Sequence, residues 1–204
     1  ITVHDGEPYK VRSVKLAGNL IGLDKEINDL VKIKPDETFS AAKANDSAKA
    51  ITDYLGELGY AFANVNPNPQ LDRAKHEADL TFYVDPSRRV YVRRIQIGGN
   101  TRTRDEVVRR EMRQQEAAWY DAKDIKTSRD RVDRLGYFKD VEVETEEVPG
   151  TTDQVDLTLK VTEKPTGNLL IGAGYSSSDK ISFTASVKQE NVFGTGNYLG
   201  IELN

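Results

Sequence analysis

Residues 11–19 read VRSVKLAGN, and residues 92–100 read VRRIQIGGN. Both stretches open with Val-Arg and close with Gly-Asn, at an offset of 81 residues. Two tripeptides recur at an offset of 77, namely LGY at residues 58–60 and 135–137, and DLT at residues 79–81 and 156–158. This self-similarity predicts that residues 7–86 and 88–164 are two copies of one unit. The change of offset places about four extra residues in the middle of the first copy.

Each copy has the hydrophobic pattern of a β-α-α-β-β unit, in which two helices cover one face of a three-stranded sheet. Apolar residues alternate with polar ones in the strands, as at Val14 and Leu16, and recur at helical spacing in the helices. Ser40 and Asp121 are predicted N-caps, and residues 103–106 have the spacing of a capping box. The predicted helices are residues 24–31, 41–58, 104–112 and 122–135, and the predicted closing strands are residues 61–67, 79–85, 139–148 and 156–161.

The pattern of apolar and polar residues changes after Pro165. Residues 181–188 alternate strictly between apolar and polar residues, and residues 169–175 and 199–203 continue the alternation. Charges are sparse, and runs of about ten alternating residues joined by turns are typical of transmembrane β-barrel strands. An ordinary antiparallel meander has a similar pattern. Because a barrel needs at least about eight strands, three strands would be only its beginning.

Composition excludes several classes of function. The 204 residues carry a formal charge of −4 and a mean hydropathy of −0.60, so the chain lacks the basic field of a nucleic-acid binder. Cysteine is absent, which excludes disulfides and thiolate metal sites. The only histidines are His4 and His76, so histidine ligands for a metal are scarce. We expect no enzymatic activity, no cofactor, no metal and no nucleic-acid partner.

The ends of the sequence suggest how it relates to a complete protein. Met112 is the only methionine, and neither a signal peptide nor an apolar span of about 20 residues is visible. We therefore expect the chain to be a piece of a longer protein.

Four stretches in one order carry a family resemblance: VRRIQIGGN at 92–100, RREMRQQEAAW at 109–119, RLGYF at 134–138 and GTG at 194–196. In this order they resemble the outer-membrane β-barrel assembly factors that carry POTRA (polypeptide-transport-associated) domains. The resemblance implies an α+β fold of two tandem POTRA domains, the fourth and fifth of five, at residues 1–87 and 88–164. It implies that residues 165–204 are the first three strands of an incomplete outer-membrane barrel.

The resemblance also implies partners and a location. The POTRA domains would lie in the periplasm and the barrel in the cell outer membrane, in contact with its lipid. Accessory lipoproteins would bind, and Arg109, Glu116 and Trp119 would dock one of the BamD type. Unfolded outer-membrane protein clients would be the substrates, without covalent chemistry.

Two strands are expected to serve those clients. The second strand of a POTRA domain is an edge that can accept an added strand, here residues 61–67 and, above all, Val141, Glu142, Val143, Glu144 and Thr145. The glutamates could instead guard this edge against aggregation. The first barrel strand forms a seam that opens, here Leu169, Leu170, Ile171, Gly172, Ala173 and Gly174, and its glycines would weaken packing.

Two alternative functions remain open from the residues. One is a related POTRA transporter of the two-partner secretion or TamA type. The other is a soluble repeat scaffold that binds peptides by strand addition, against which the apolar stripe of residues 181–187 argues.

Overall fold

A computed structural model describes residues 8–177 and 180–203. The chain divides into two compact units. The first holds the described residues up to Tyr91 together with Trp119–Lys123, and the second holds Val92–Ala118 and the chain from Asp124 onward. Within the described residues, no helix is both long enough and apolar enough to span a membrane.

The secondary structure alternates as the repeat predicts. In chain order the elements are β1 (Lys10–Gly18), α1 (Asp24–Asp29), α2 (Ala41–Glu57), β2 (Asn64–Asp72), β3 (Glu77–Asp85), β4 (Tyr91–Gly98), α3 (Asp105–Arg109), β5 (Ala118–Trp119), α4 (Ala122–Arg134), β6 (Phe138–Glu147), β7 (Gln154–Glu163), β8 (Gly167–Ser176), β9 (Lys180–Val192) and β10 (Asn197–Leu203).

The first unit is built on a three-stranded sheet of order β1-β3-β2. β1 runs parallel to β3, and β2 runs antiparallel to it. The alternation in β3 buries Leu80 and Phe82, and α2 contributes Ile51 and Leu55 to the same hydrophobic core. Burying each such side chain stabilises the fold by about 1.5–3 kcal/mol. The predicted N-cap Ser40 is confirmed, since its Oγ accepts a hydrogen bond from Lys43 N at 3.3 Å.

The second repeat follows this plan with one addition. Its sheet has the order β5-β4-β7-β6, so it has four strands where the pattern predicted three. The extra strand is β5, a two-residue segment too short to show in a period-two pattern. β7 alternates as β3 does, and Leu157 and Leu159 are buried. Helical residues complete the core, namely Val107, Val108, Ile125 and Val132.

An arginine–aspartate pair recurs in both units. Arg12 Nε donates to Asp79 Oδ1 at 3.0 Å, and Arg93 Nε donates to Asp156 Oδ1 at 2.9 Å. A second guanidinium nitrogen binds the other carboxylate oxygen in each pair. These hydrogen bonds hold the pKa of both aspartates below the usual value. The repeated residues of the sequence therefore make repeated contacts.

A buried serine also recurs, in the second helix of each unit. Ser47 Oγ accepts from Lys32 N at 2.9 Å, and Ser128 Oγ accepts from Arg113 N at 2.7 Å. Each hydroxyl also donates to the carbonyl four residues earlier in its helix. The serine thereby ties its helix to the loop that follows the first, shorter helix.

These serine contacts correct the predicted length of the first helices. Residues 24–31 and 104–112 were expected to be helical, but α1 ends at Asp29 and α3 ends at Arg109. Beyond each helix the chain gives a backbone N–H to the buried serine, which draws it out of the helical path.

The predicted capping box at residues 103–106 is wrong. The N-cap of α3 is Arg104, which makes no side-chain cap hydrogen bond. The Thr103 hydroxyl instead accepts a hydrogen bond from Asn191 Nδ2 at 2.8 Å. The hydroxyl that was expected to cap α3 is therefore bound to a distant residue instead.

The second strand of the first unit begins later than predicted. Residues 61–67 were expected to be extended, but β2 spans Asn64–Asp72. A tight turn delays the strand, because Ala63 N donates to Tyr60 O at 3.2 Å.

The last three strands form an antiparallel sheet of order β10-β9-β8. The register pairs Leu169 with Val187 and Ile171 with Ala185, so these side chains share one face. Residues on that face are mostly large and apolar, and those on the other are mostly glycine, serine and threonine. The exposed apolar side chains on the first face are Leu169, Ile171, Tyr175, Ile181, Phe183, Val187, Leu199, Ile201 and Leu203.

Replacing the buried serine of α4 tests whether it ties the unit together. We expect Ser128→Ala to lower the free energy of unfolding by about 1–3 kcal/mol, because the N–H groups of Arg113 and Gln114 lose their acceptor. Lys126→Ala, an exposed change in the same helix, is the control. Urea unfolding measures both, and equal stability of the two variants would contradict the role of Ser128.

Candidate functional site

Two of the residues predicted to dock a lipoprotein meet on the second unit. Arg109 is the last residue of α3, and Glu116 lies in the loop before β5. Arg109 Nη1 lies 3.6 Å from Glu116 Oε1, and both side chains are about half exposed. Glu116 Oε1 also accepts from Ile95 N at 2.8 Å, and Arg109 Nη2 donates to Ile95 O at 3.2 Å. The pair therefore binds the backbone of β4 as well as facing solvent.

The third docking residue, Trp119, belongs to the first compact unit, whereas Arg109 and Glu116 belong to the second. The Arg89 guanidinium lies 4.2 Å from the centre of the Trp119 ring, which is a cation–π contact. Tyr91 meets the same ring edge-on, with 6.1 Å between centroids. Half of the Trp119 surface remains exposed.

The predicted client edge lies on β6, at one end of the second unit's sheet order. Val141 is buried against the core and pairs with Val161 of β7. The glutamates lie at the surface, and Lys160 Nζ binds Glu144 at 2.7 Å. Among the described residues no strand pairs with the outer side of β6.

The corresponding edge of the first unit is different. β2 is the edge strand, and it contains Pro67 and Pro69. Proline has no N–H, and a proline ring in a strand is tolerated only where its nitrogen faces the open side. Two donors are therefore missing from β2, one of them within the predicted edge at residues 61–67, which makes β2 a poor template for an added strand.

The predicted seam residues lie in β8, at the end of the third sheet's order. Gly172 and Gly174 pair with Thr184 and Ser182 on the small-residue face. Leu170 is the one large apolar residue of β8 on that face, and it is exposed. No strand pairs with the outer side of β8 within the part of the chain that the structure describes.

Sequence reasoning missed a buried junction between the β9–β10 turn and the second repeat. Asn191 Nδ2 donates to Thr103 Oγ1 at 2.8 Å, and Asn191 Oδ1 accepts from Gly196 N at 2.8 Å. Both Asn191 and Thr103 are buried. Tyr137 adds a hydrogen bond from its hydroxyl to Gly196 O at 3.2 Å. A buried amide that is bonded through both its nitrogen and its oxygen fixes the turn in one position.

Gly194 is required at this junction for two reasons. Its φ is +70°, in the left-handed region that disfavours other residues. A Cβ at this position would overlap the carbonyl oxygen of Arg102. Gly194 O also accepts from Arg104 N at 2.9 Å, so the backbone of the turn lies directly on the loop before α3. The motif was visible in the sequence, but its contact surface was not.

Glu163, at the end of β7, holds the same loop from the other side. It accepts hydrogen bonds from Thr101 Oγ1 at 2.7 Å, Arg102 N at 2.9 Å and Thr103 N at 2.6 Å. Burial alone would raise the pKa of Glu163, but these hydrogen bonds hold its pKa below the usual value. By the internal offsets, the first repeat has Gly22 for Thr103 and Pro86 for Glu163, so the junction is particular to the second repeat.

A cavity of about 510 Å³ opens beside the junction. Arg102, Lys164 and Phe193 are among its lining residues, and Phe193 is 90% exposed. Among the described residues, no group of three or more acidic or histidine side chains is placed to hold a metal ion.

The lowered pKa of Glu163 gives a pH-dependent test of the junction. A folded-state pKa below the unfolded value contributes stability that is present above the unfolded pKa and is lost as pH falls through the folded one. We expect Glu163→Gln to lower the free energy of unfolding by about 1–2 kcal/mol at pH 7, because ionised acceptors bind more strongly than an amide. The difference should shrink as pH falls below 4 or so. Urea unfolding across this pH range measures it, with exposed Glu142→Gln as control, and a pH-independent difference would contradict the assignment.

Comparison with known proteins identifies the family to which the chain belongs. The POTRA family, described as surface antigen variable number repeat, matches residues 9–87 and 90–164. The outer membrane protein assembly factor BamA of Neisseria meningitidis serogroup B is 36% identical over 197 residues, which are 96% of this chain and 25% of that protein. BamA of Buchnera aphidicola is 32% identical over 203 residues, which are 100% of this chain and 33% of that protein. The chain thus spans a quarter to a third of these curated relatives.

Solved structures agree with this family. The crystal structure of BamA from Haemophilus ducreyi lacking POTRA domains 1–3 has a TM-score of 0.82 and 35% identity, over 95% of this chain and 37% of that one. The crystal structure of Haemophilus influenzae BamA POTRA domains 3–5 has a TM-score of 0.73 and 38% identity, over 76% of this chain and 61% of that one. The two matched repeats and these structures together show that the chain belongs to the POTRA family and is similar to BamA outer-membrane protein assembly factors.

Proposed function

We propose that this chain is the periplasmic and barrel-proximal part of an outer-membrane β-barrel assembly factor. It binds accessory lipoproteins and client chains, and it assists β-barrel proteins as they fold and insert into the cell outer membrane. The observation that carries the proposal is the similarity, over 95% of the chain, to a BamA that lacks POTRA domains 1–3. The reaction needs no covalent step, since client folding and burial in lipid supply the free energy.

The same similarity supports the domain assignment that we propose. Residues 1–87 are the fourth POTRA domain, residues 88–164 are the fifth, and residues 165–204 are the first three strands of the barrel. The absence of domains 1–3 from the matched structure supports counting the two repeats as the later ones.

The two faces of the third sheet support its assignment to a membrane barrel. Leu169, Ile171 and Phe183 lie on the large apolar face and are mostly exposed in this chain. A continuous apolar face of this size is costly in water and marks a surface covered by protein or lipid. The opposite face carries Thr184 and Lys188, as expected for a polar barrel interior.

β8 is the seam strand in this proposal. Its outer edge has backbone groups ready to pair, and Gly172 and Gly174 leave little side-chain packing to hold a neighbour there. An incoming client strand can therefore pair with residues 169–174 and exchange places with the closing strand of the barrel.

β6 is the client-binding edge of the fifth POTRA domain. Residues 141–145 contain no proline, so every backbone donor of the segment is present. The surface glutamates Glu142 and Glu144 keep this edge from pairing with a second copy, and a client with basic residues at matching positions overcomes that barrier.

Arg109, Glu116 and Trp119 dock the BamD-like lipoprotein. Arg109 and Glu116 offer a guanidinium and a carboxylate that are half exposed and 3.6 Å apart, so a partner with the opposite arrangement of charges can bind both. Trp119 supplies half of its ring surface, and aromatic residues of this kind anchor interfaces.

Charge reversal tests the docking assignment. We expect Arg109→Glu and Glu116→Lys each to weaken binding to the purified lipoprotein at least tenfold, because each places like charges together across the interface. The control is Glu106→Lys, since Glu106 is an exposed glutamate of the same short helix. Surface plasmon resonance with the lipoprotein immobilised measures all three.

The outcomes of this experiment distinguish the proposed function from the proposed docking residues. Absence of binding by the folded wild-type chain would contradict the proposed function. Full binding by both reversal variants would remove the docking role of Arg109 and Glu116 and leave the function standing.

The two second strands give a matched test of client binding. A photo-crosslinking residue at position 142 of β6 should capture a peptide with the alternating sequence of residues 181–189, because that edge can pair with it. The same residue at position 68 of β2 should give only background labelling, because Pro67 and Pro69 remove two donors. Gel analysis of the crosslinked product measures both, and equal labelling would contradict the choice of edge.

A further inference from the structure

The outer edge of β4 is closed by side chains where a neighbouring strand would lie. Both backbone polar groups of Ile95 are bound, the N–H by Glu116 at 2.8 Å and the carbonyl by Arg109 at 3.2 Å. An antiparallel neighbour would make the same two bonds through one of its own residues. We call this pair of side chains, Arg109 and Glu116, the charged cover of β4.

The charged cover continues a backbone cover. Ala117 N donates to Val92 O at 2.7 Å, and β5 follows immediately as the neighbour of β4 in the sheet order. Glu116 immediately precedes Ala117. Its side-chain carboxylate, in place of a backbone carbonyl, accepts the hydrogen bond from Ile95 N. The edge of β4 is therefore covered by chain at its start and by two charges at Ile95.

The first repeat shows that a POTRA unit does not require these charges. The bond from Ala117 N to Val92 O has its counterpart there in Asp36 N to Val11 O at 2.8 Å, which fixes the offset as 81. At this offset, Arg109 corresponds to Asn28 and Glu116 corresponds to Pro35. Asparagine and proline cannot form an ion pair, so the charged cover is an addition made in the second repeat alone.

A cavity lies beside the charged cover. Its volume is about 200 Å³, and its lining residues are Ile95 and Met112 together with the polar residues Arg109, Gln114, Gln115 and Glu116. Methionine is flexible and polarizable and adapts to differently shaped apolar side chains. Met112 is the only methionine of the chain. A strand added at Ile95 would have room for one side chain, with Ile95 and Met112 as its apolar contacts.

Replacing the charged cover with a strand changes the free energy little. Arg109 and Glu116 are about half exposed, so the ion pair between them is worth little. Without it, Glu116 faces water and Arg109 still has Asp105 as a partner, at 3.0 Å from its Nε. The bonds to Ile95 are replaced one for one by peptide groups of the incoming strand. Burial of an apolar side chain beside Met112 then favours the strand.

We propose that the edge of β4 at Ile95 is a covered strand-addition site of the second repeat. Its occupant is an extended client segment that displaces the charged cover, pairs with the backbone of Ile95 and places an apolar side chain against Met112. The identity of the occupant rests on the proposed function, but the site does not require lipoprotein docking.

The test uses the full chain in detergent and a fluorescent peptide with the sequence of residues 181–189. Glu116→Ala removes the acceptor from Ile95, whereas Glu116→Gln keeps an oxygen in its place and is the matched control. We expect Glu116→Ala to bind the peptide at least fivefold more tightly than wild type and Glu116→Gln to differ less than twofold. Fluorescence anisotropy measures the affinities.

Amide hydrogen exchange locates the peptide. The Ile95 amide should exchange faster in Glu116→Ala than in wild type and become protected when peptide is added. Protection confined to β6, or equal affinities of the alanine and glutamine variants, would overturn the proposal. If Glu116→Ala fails to fold, Arg109→Ala repeats the test with the carbonyl of Ile95 released instead.

A second peptide separates backbone pairing from simple apolar attraction. An N-methylated version of the same sequence cannot pair as a strand, and it should lose the gain in affinity. Equal binding of the methylated peptide would overturn the proposal. Because no lipoprotein is present in these measurements, their failure is distinct from failure of the lipoprotein-binding experiment.

Discussion

The backbone N–H and C=O groups at the edges of the three small sheets must each find a partner or face water. The edge of β1 is met by the segment around Asp36, and the edge of β4 by β5 and the Arg109–Glu116 pair. The prolines of β2 remove donors instead of pairing them. Only β6 and the outer strands of the third sheet keep full, unpaired edges within the described residues. Among the described residues, the edges open to an added strand therefore lie in the second repeat and in the strands that follow it.

The two repeats agree where the fold needs them to agree and differ where the proposed function lies. The Arg12–Asp79 pair and the Ser47 contact recur in the second repeat at the internal offsets. The charged cover and the junction at Glu163 do not, because the first repeat has asparagine, glycine or proline at the matching positions. The first repeat thus acts as an internal reference for what a POTRA unit requires. Departures from it in the second repeat point to contacts with other molecules or with the third sheet.

Local patterns predicted most of the fold, because alternation and helical spacing report which face of an element is buried. The β-α-α-β-β order, the Ser40 cap and the three alternating strands all followed from them. The patterns failed where a distant residue competes for a local group, as Asn191 does for the Thr103 hydroxyl. They also gave no sign of β5, which is defined by its neighbour. Arg109 and Glu116 were predicted as docking residues from the resemblance alone, whereas their bonds to Ile95 required the structure.

One short helix separates the junction from the charged cover. α3 begins at Asp105, next to the loop that Asn191 and Glu163 hold, and its five residues end at Arg109. Val107 and Val108 are buried, so the helix packs against the core. Close-packed interiors transmit displacement because they have few voids to absorb it. The β9–β10 turn, the loop before α3, the buried middle of α3 and the edge of β4 therefore form one continuous series of contacts that ends at Arg109.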